Sequence, residues 1–195
     1  FIKPDEFVKI RLQVEKDVDT DSAWADKQDF PEPGTAMDHI YSVKEYHEES
    51  TFNPVAEKIV IVDAINHALH EEMELNEKMV VYGQDIADPK GGVFTATKGL
   101  SDKFGNGRVF NSPLAESSIV GTAVGMAVSG YKPVVEIQFG DYIWTAMMQI
   151  RNEVATMRYR SNNSWACPMV IRVPVGGYIH GALCHSQSID GYFIH

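Results

Sequence analysis

The sequence is poor in cysteine, has no long apolar run and carries no excess of basic residues. Its 195 residues include two cysteines, Cys167 and Cys184, which are too few for a disulfide scaffold and predict reduced thiols in an intracellular, cytoplasmic protein. Because no stretch of about 18 apolar residues occurs, no membrane-spanning segment is expected. The 17 lysines and arginines against 27 aspartates and glutamates give a formal net charge of −10, which argues against a nucleic-acid partner.

The sequence also lacks the glycine patterns of the common nucleotide-binding loops. Neither GxGxxG nor GxxxxGK(S/T) occurs, so neither a Rossmann dinucleotide site nor a P-loop is expected. His180, Cys184 and His185 lie close together in a glycine-rich segment, but the adjacent Cys184 and His185 cannot easily face one zinc ion or act as a nucleophile and its base. We interpret the segment as a loop that brings His185 to a pocket. The alternative is a solvent-exposed loop histidine.

From Ile59 onward the chain contains a regular alternation of helices and short apolar strands. Residues 1–30 show only weak helical periodicity, and residues 31–57 have the proline-rich, polar composition of a linker. Helices are predicted around residues 61–73, 97–104, 116–129 and 142–158, and strands at 79–82, 108–110, 133–139 and 169–173. The alternation predicts an α/β fold in which a parallel sheet carries helices on both faces.

Polar residues follow each predicted strand at the point where it ends. In folds of this kind the ligand binds beyond the carboxyl ends of the strands. Gln84, Leu114–Glu116, Gln138–Tyr142 and residues 174–185 are therefore expected to converge on one edge of the sheet.

Glu116 is a lone carboxylate in the first turn of a helix that is otherwise made of apolar and small residues. Its burial would need polar partners, which makes it a candidate acid or base, although an acidic first turn also simply suits the helix dipole. Gly121 and Gly125, four residues apart, are expected to let another backbone approach the helix. Tyr142 is placed to offer its ring to a planar ligand, whereas Phe139 is expected in the core.

Five segments together resemble one enzyme family. They are GQDIADPKGGVFTATKGL (83–100), RVFNSPLAESSIVGTAVGMA (108–127), KPVVEIQFGDYIW (132–144), RYRS (158–161) and HGALCHSQS (180–188). They resemble the beta subunit of the thiamine-diphosphate-dependent 2-oxoacid dehydrogenases, in particular the branched-chain (2-oxoisovalerate) type. The resemblance implies a transketolase-like pyrimidine-binding domain over residues 58–195.

Residues 1–42 resemble the acidic tail of the alpha subunit of the same enzymes, and residues 43–57 would be a linker. This implies an internal piece of an alpha–beta fusion, cut at both ends, and a pyrimidine-binding domain truncated at its C-terminus.

The resemblance also implies a role for each candidate site residue. Glu116 would hydrogen-bond the N1′ nitrogen of the cofactor's aminopyrimidine ring and activate the cofactor, and His185 would act as an acid and base near the substrate. The other cofactor-binding residues would be Gln84, Leu114, Ala115, Gln138 and Tyr142, and the substrate would meet Phe139, Gly140, Asp141, Tyr142 and His185. Many members of the family have an acid in place of Gln84, and an amide cannot relay a proton as a carboxylate does.

Ions and partners follow from the same resemblance. The diphosphate and Mg²⁺ would be bound by the alpha part, because the magnesium motif is absent from this sequence, and backbone groups of Cys167, Met169 and Val170 match part of a structural K⁺ site. Expected partners are the alpha part, a lipoyl-bearing acyltransferase and a 2-oxo acid, in an oligomeric enzyme, with the fragment alone inactive. The alternatives are another transketolase-like enzyme, such as a deoxyxylulose phosphate synthase, or a non-catalytic assembly module.

Overall fold

A computed structural model describes residues 2–43 and 58–194 of the chain. The chain divides into two compact units, one ending at Asp38 and the other beginning at His39. Of the predicted linker, residues 44–57 lie outside the described residues. All the predicted site residues belong to the second unit.

The first unit consists mainly of one helix, α1, which spans Pro4–Ala25. Pro4 suits the first turn, where a backbone N–H has no acceptor within the helix. Side-chain pairs one turn apart, such as Arg11 and Glu15 at 2.8 Å, add a small stabilisation. No residue of α1 is buried, so its weak apolar periodicity does not form a core within this unit. A short 3-10 turn, Pro33–Thr35, follows it.

The second unit contains the predicted parallel sheet. Its strands are β1 (Met79–Gly83), β2 (Val109–Asn111), β3 (Lys132–Glu136) and β4 (Val170–Arg172), in the order β2-β1-β3-β4. All three neighbouring pairs are parallel. The central strand β1 is buried along its whole length, as its continuous apolar sequence predicts.

Helices precede, connect and follow these strands. The α-helices are α2 (Ile61–Leu75), α3 (Leu100–Phe104), α4 (Glu116–Val128), α5 (Met157–Arg160) and α6 (Ala182–His185). Short 3-10 helices cover Val93–Thr95, Gly140–Ala146 and Asp190–Phe193, and a π-helix covers Gln149–Val154. Among the residues described, no helix is both long enough and apolar enough to cross a bilayer.

The single helix predicted over residues 142–158 is wrong. This segment winds first as a 3-10 helix, then as a π-helix and finally as α5. Bonds to α4 hold the 3-10 part: the Thr145 hydroxyl donates to Glu116, and the Ser117 hydroxyl donates to the Thr145 carbonyl. Tertiary contacts therefore override the helical periodicity of the sequence.

The alternating side chains of the strands build a core on each face of the sheet. Met79 and Val81 point to the face covered by α2 and α3. Val80 and Tyr82 point to the opposite face and pack with Ile119 of α4. The predicted arrangement, a parallel sheet with helices on both faces, is confirmed.

Tyr82 fixes α4 to the sheet with a directional bond. Its hydroxyl donates to the Ile119 carbonyl at 2.8 Å, and its ring stacks on Phe110 with 5.0 Å between centroids. Burial raises the pKa of Tyr82 to about 12, so the phenol stays neutral and keeps its proton for this bond. The helix that carries Glu116 is therefore anchored near its first turns.

The close backbone approach expected at Gly121 and Gly125 is not found within the described residues. A Cβ at Gly121 would touch only Gln149 at 3.5 Å, and one at Gly125 would meet nothing within 4 Å. The close approach occurs instead at Gly83, which has a φ of +151° and where a Cβ would lie 2.1 Å from the Glu136 carbonyl oxygen.

We expect opposite results from two alanine substitutions. Gly83→Ala would force β1 and β3 apart and lower the free energy of unfolding by about 3 kcal/mol or more. Gly125→Ala, in open space on a helix, would raise it by roughly 0.5–1 kcal/mol because the unfolded chain loses backbone freedom. Urea unfolding of the chain and both variants measures this; a stable Gly83→Ala variant would contradict the prediction.

Candidate active site

The carboxyl edge of the sheet brings the predicted residues together through hydrogen bonds. The Gln84 side chain, just after β1, donates to Glu116 at the start of α4. It also accepts the backbone N–H of Gln138, just after β3. Tyr142 reaches His185, which ends α6 after β4. Segments that follow all four strands thus contribute to one connected group.

Glu116 is the first residue of α4, and its carboxylate accepts hydrogen bonds from two side chains. Gln84 Nε2 donates to Oε1 at 2.6 Å, and Thr145 Oγ1 donates to Oε2 at 2.9 Å. Partial burial raises the pKa of Glu116, but the backbone N–H of Glu116 itself and the Gln84 and Thr145 bonds outweigh it, so the pKa lies below its usual range. Glu116 is therefore an ionised hydrogen-bond acceptor at neutral pH.

The orientation of the Gln84 amide follows from its neighbours. A backbone N–H can only donate, so the 2.9 Å contact with Gln138 N identifies the Gln84 oxygen, and the amide nitrogen must face Glu116. Gln84 is only 2 % exposed, and both polar atoms of its side chain are bonded within the chain. Gln84 therefore hydrogen-bonds Glu116 from the interior of the protein.

The Gln138 side chain turns away from Glu116. Its amide nitrogen donates to Asp85 at 2.6 Å, and the same Asp85 oxygen lies 2.9 Å from Lys90 Nζ. The backbone of Gln138, through its bond to Gln84, is its link to the Glu116 cluster.

Leu114 and Ala115 lead directly into Glu116. The Leu114 side chain is 79 % exposed, whereas Ala115 is half-buried. A large apolar side chain in solvent beside an ionised carboxylate forms a surface on which a ring with a polar edge can bind.

Tyr142, Phe139 and His185 form an aromatic cluster. The Tyr142 hydroxyl lies 2.7 Å from His185 Nε2, and the Phe139 ring meets the His185 ring edge-on with 4.7 Å between centroids. His185 is half-buried, so the alternative of a fully exposed loop histidine is wrong. Phe139 is only half-buried, and it contacts His185 and Tyr142 rather than lying wholly in the core.

Gly140 and Asp141 hold the segment that carries His185. Gly140 is buried, and a Cβ there would lie 2.9 Å from Val175 and 3.1 Å from Ile189. Asp141 accepts the backbone N–H of Gln187 at 3.4 Å. Gly140 and Asp141 thus pack against the loops that follow β4.

A cavity of about 390 Å³ opens beside the aromatic cluster. Phe139 and His185 line it together with Phe94, Val175 and Ile179, and its other walls are mainly apolar. The cavity has room for a small apolar group, with an imidazole at its wall.

Sequence reasoning missed Thr145, Glu136 and Arg172. Glu136 is 2 % exposed, accepts from Val93 N at 3.1 Å and from Arg172 Nε at 2.6 Å, and stands opposite Arg172 in the sheet. Burial raises the pKa of Glu136 and Arg172 opposes the rise. Aligning the two predicted strands in register would have indicated this pair, and the three-residue spacing from Tyr142 would have indicated Thr145.

The remaining predicted residues lie away from this cluster. Cys167 and Met169 lie just before β4 and Val170 is its first residue; Cys167 Sγ lies 3.6 Å from Met169 Sδ. A K⁺ site there stays a prediction. Over residues 2–43 and 58–194, no three His, Cys, Asp or Glu side chains are grouped so that they could bind a metal ion.

The chain matches the model of a known protein family. The profile of the family described as transketolase, pyrimidine binding domain, matches residues 57–195. The chain belongs to this family. As a pyrimidine-binding domain, it carries Glu116, Gln84 and Tyr142 within the matched region.

Several curated relatives are beta subunits of 2-oxoacid dehydrogenases. The chain is 52 % identical over 132 residues to the 2-oxoisovalerate dehydrogenase subunit beta of Bacillus subtilis, covering 68 % of this chain and 40 % of that protein. It is 44 % identical over 135 residues to the protein of the same name from Pseudomonas aeruginosa, covering 69 % and 38 %. It is 42 % identical over 134 residues to the pyruvate dehydrogenase E1 component subunit beta of Bacillus subtilis, covering 69 % and 41 %.

These matches confirm the resemblance inferred from the sequence motifs. The chain spans about 40 % of the length of these relatives.

We expect Gln84→Glu to make stability depend on pH. One oxygen of the new carboxyl would accept the Gln138 N–H, and the other would face Glu116, so the pair would have to share a proton. Its folded pKa would lie above the unfolded value, and the stability present at about pH 5 would fall by about 1–3 kcal/mol as pH rises through the folded pKa towards about 8. Urea unfolding at several pH values measures this.

Gln84→Met is the matched control, since it removes the amide without adding a titratable group. Removing the Gln84 donor also raises the pKa of Glu116, but by less than a second carboxyl would, so between about pH 5 and 8 the stability of Gln84→Met should fall less steeply with pH than that of Gln84→Glu. Equal pH dependence in both variants would contradict the shared-proton explanation.

A second prediction concerns the buried ion pair. Arg172→Met would leave the Glu136 carboxylate without its cation and lower the free energy of unfolding by about 3–5 kcal/mol near neutral pH. Because the folded pKa of Glu136 would rise further, the loss should shrink as pH falls and the carboxyl takes up a proton. Adding Glu136→Gln should recover part of the stability; a double variant no better than Arg172→Met would contradict this.

Proposed function

We propose that this chain supplies the pyrimidine half of the thiamine diphosphate site of a 2-oxoacid dehydrogenase. The observation that carries the proposal is the ionised carboxylate of Glu116, held at the start of α4 beside the exposed Leu114. The family to which the chain belongs is described by pyrimidine binding, and its relatives bear the names of 2-oxoacid dehydrogenase beta subunits.

The residues present fit an aminopyrimidine ring. Such a ring needs an acceptor for a proton on a ring nitrogen and apolar surfaces for its faces. Glu116 is the acceptor, and the low pKa of its carboxyl keeps it in the accepting form. Leu114 is exposed and Tyr142 is half-buried, so both side chains retain surface for a ligand.

In this proposal each residue has a defined task. Glu116 accepts a hydrogen bond from N1′ and favours its protonated form. The side chains of Leu114, Ala115 and Tyr142 line the space around the ring. Gln84 and Gln138 act through the hydrogen bonds that orient Glu116. When bound, thiamine diphosphate supplies the carbon nucleophile for the 2-oxo group and the electron sink for the loss of carbon dioxide.

The aromatic cluster serves the substrate side. His185 has a Tyr142 hydroxyl on one ring nitrogen and forms part of the wall of the 390 Å³ cavity, which suits it to exchange protons with a bound acid or acyl group. Residues 139–142 position His185 and line the space for the acyl group. The acyl group would then pass to a lipoyl carrier on an acyltransferase.

The rest of the site would come from outside this chain. An alpha part would bind the diphosphate and Mg²⁺, with residues 1–42 as the end of that part in a fusion, 43–57 as a linker and 58–195 as the pyrimidine-binding domain. We further propose an oligomeric, cytoplasmic enzyme with a K⁺ site at the backbone of Cys167, Met169 and Val170.

We propose a branched-chain 2-oxo acid as substrate. The walls of the cavity are mainly apolar, and the relatives include 2-oxoisovalerate dehydrogenase beta subunits. Relatives named as pyruvate dehydrogenase subunits make pyruvate the comparison substrate.

We expect Glu116→Gln to abolish most of the activity without unfolding the protein. In the enzyme assembled from the full-length protein and its alpha part, the amide would no longer favour the protonated ring nitrogen, and the decarboxylation rate would fall roughly 10²–10⁴-fold. The measurement is release of carbon dioxide from 2-oxoisovalerate and from pyruvate, with circular dichroism as the test of folding.

Glu77→Gln is the control, because Glu77 is an exposed glutamate outside the site. It should retain wild-type turnover. Full turnover by Glu116→Gln would overturn the proposed function, and ketol transfer without decarboxylation in the unmutated enzyme would favour another transketolase-like reaction.

A further inference from the structure

Thr145 connects the Glu116 carboxylate with the segment that carries Tyr142. Its hydroxyl is 2.9 Å from Glu116 Oε2 and 3.3 Å from the Tyr142 carbonyl oxygen. Its own carbonyl accepts the Ser117 hydroxyl. One residue of the 140–146 helix therefore bonds to the first turn of α4 and to the segment that carries the tyrosine partner of His185.

The opposite oxygen of Glu116 is held by a buried side chain. Gln84 is buried, its amide is oriented by the Gln138 backbone N–H, and its nitrogen reaches Glu116 Oε1 at 2.6 Å. Bonds to the two oxygens from different elements fix the plane of the carboxylate, whereas one bond alone would leave rotation about the last side-chain torsion.

The two bonds differ in chemical character. The Gln84 amide hydrogen can only be donated, so this side of Glu116 always meets a donor. A hydroxyl can donate or accept, and Thr145 has a second acceptor in the Tyr142 carbonyl. Thr145 can thus stay bonded to Glu116 whether the facing oxygen is bare or carries a proton.

We propose that Thr145 is a positioning residue for Glu116, which acts with Gln84 to fix the carboxylate plane and leaves the oxygen facing Thr145 as the one that can hold a proton. The consequence for catalysis rests on the proposed function, but the bonding does not. Thr145 itself touches no reacting atom in this proposal.

The test uses a matched pair of substitutions at an exposed position. Thr145→Val keeps the branched shape and removes the hydroxyl, whereas Thr145→Ser keeps the hydroxyl. In the chain labelled with ¹³C at glutamate carboxyl carbons, the Glu116 resonance is identified by its loss in Glu116→Gln, and its pH titration is followed by NMR.

We expect the pKa of Glu116 to rise by about half to one unit in Thr145→Val, because the ionised form loses a donor. Thr145→Ser should titrate like the unmutated chain. If Thr145→Val also titrates like the unmutated chain, or if Thr145→Ser shifts as much as Thr145→Val, the proposal is overturned. If Thr145→Val does not fold by circular dichroism, Thr145→Ala replaces it.

A second measurement separates this proposal from the proposed function. In the assembled enzyme, Thr145→Val should lower kcat and leave the KM for the 2-oxo acid unchanged, with kcat restored in Thr145→Ser. A shifted titration with unchanged kcat would retain the positioning of Glu116 and count against its catalytic use. A lowered kcat with an unshifted titration would overturn the positioning role alone.

Discussion

The pairing of β1 with β3 is the contact on which the rest of the site depends. Gly83 lies opposite Glu136 at the end of this pair, where a side chain on Gly83 would collide with the facing carbonyl. The backbone N–H of Gln84 continues the pairing with a 3.2 Å bond to the Glu136 carbonyl. Both chains leave the sheet side by side, so Gln84 and Gln138 start from fixed and adjacent positions.

Hydrogen bonds between polar side chains extend from this pair of strands to the site. The Gln138 backbone N–H orients the Gln84 amide, and that amide in turn donates to Glu116. Thr145 donates to the other oxygen of the same carboxylate. On the other face of β3, Glu136 ties the loop at Val93 to Arg172 of β4. Such bonds contribute modestly to net stability, but leaving any one partner unpaired in the interior is expensive, and this makes the arrangement specific.

The sequence predicted the fold well where apolar periodicity carries the information. The bounds of the buried strand β1 and of the small-residue helix α4 were predicted almost to the residue. The fold class was predictable because an alternation of short apolar strands with helices admits few architectures. The segment after β3 was predicted less well: strand β3 ends at Glu136 rather than residue 139, and the helix that follows changes its winding. Both differences come from tertiary bonds, which local patterns do not encode.

The same distinction applies to the site. Glu116, Tyr142 and His185 were predicted as site residues from position and resemblance, yet nothing in the sequence alone says that Tyr142 bonds to His185 or that Gln84 turns its nitrogen toward Glu116. Those facts depend on which backbone group happens to lie opposite each side chain. Gly121 and Gly125 illustrate the reverse error, since a sequence pattern suggested a packing contact that the described residues do not make.

The bond between Tyr142 and His185 has a consequence for the polarity of the cavity wall. Nε2 of His185 is engaged by the tyrosine hydroxyl, so Nδ1 is the ring nitrogen left to face a bound group. When the hydroxyl donates to Nε2, neutral histidine carries its hydrogen on Nδ1 and offers the cavity a donor; when the hydroxyl accepts from Nε2, the same ring offers an acceptor. Rotation of the O–H bond alone does not exchange these two forms, because the ring must also lose one N–H proton and gain the other. The tautomer of His185, with the hydroxyl turned to match it, therefore selects whether a ligand at Nδ1 encounters a donor or an acceptor.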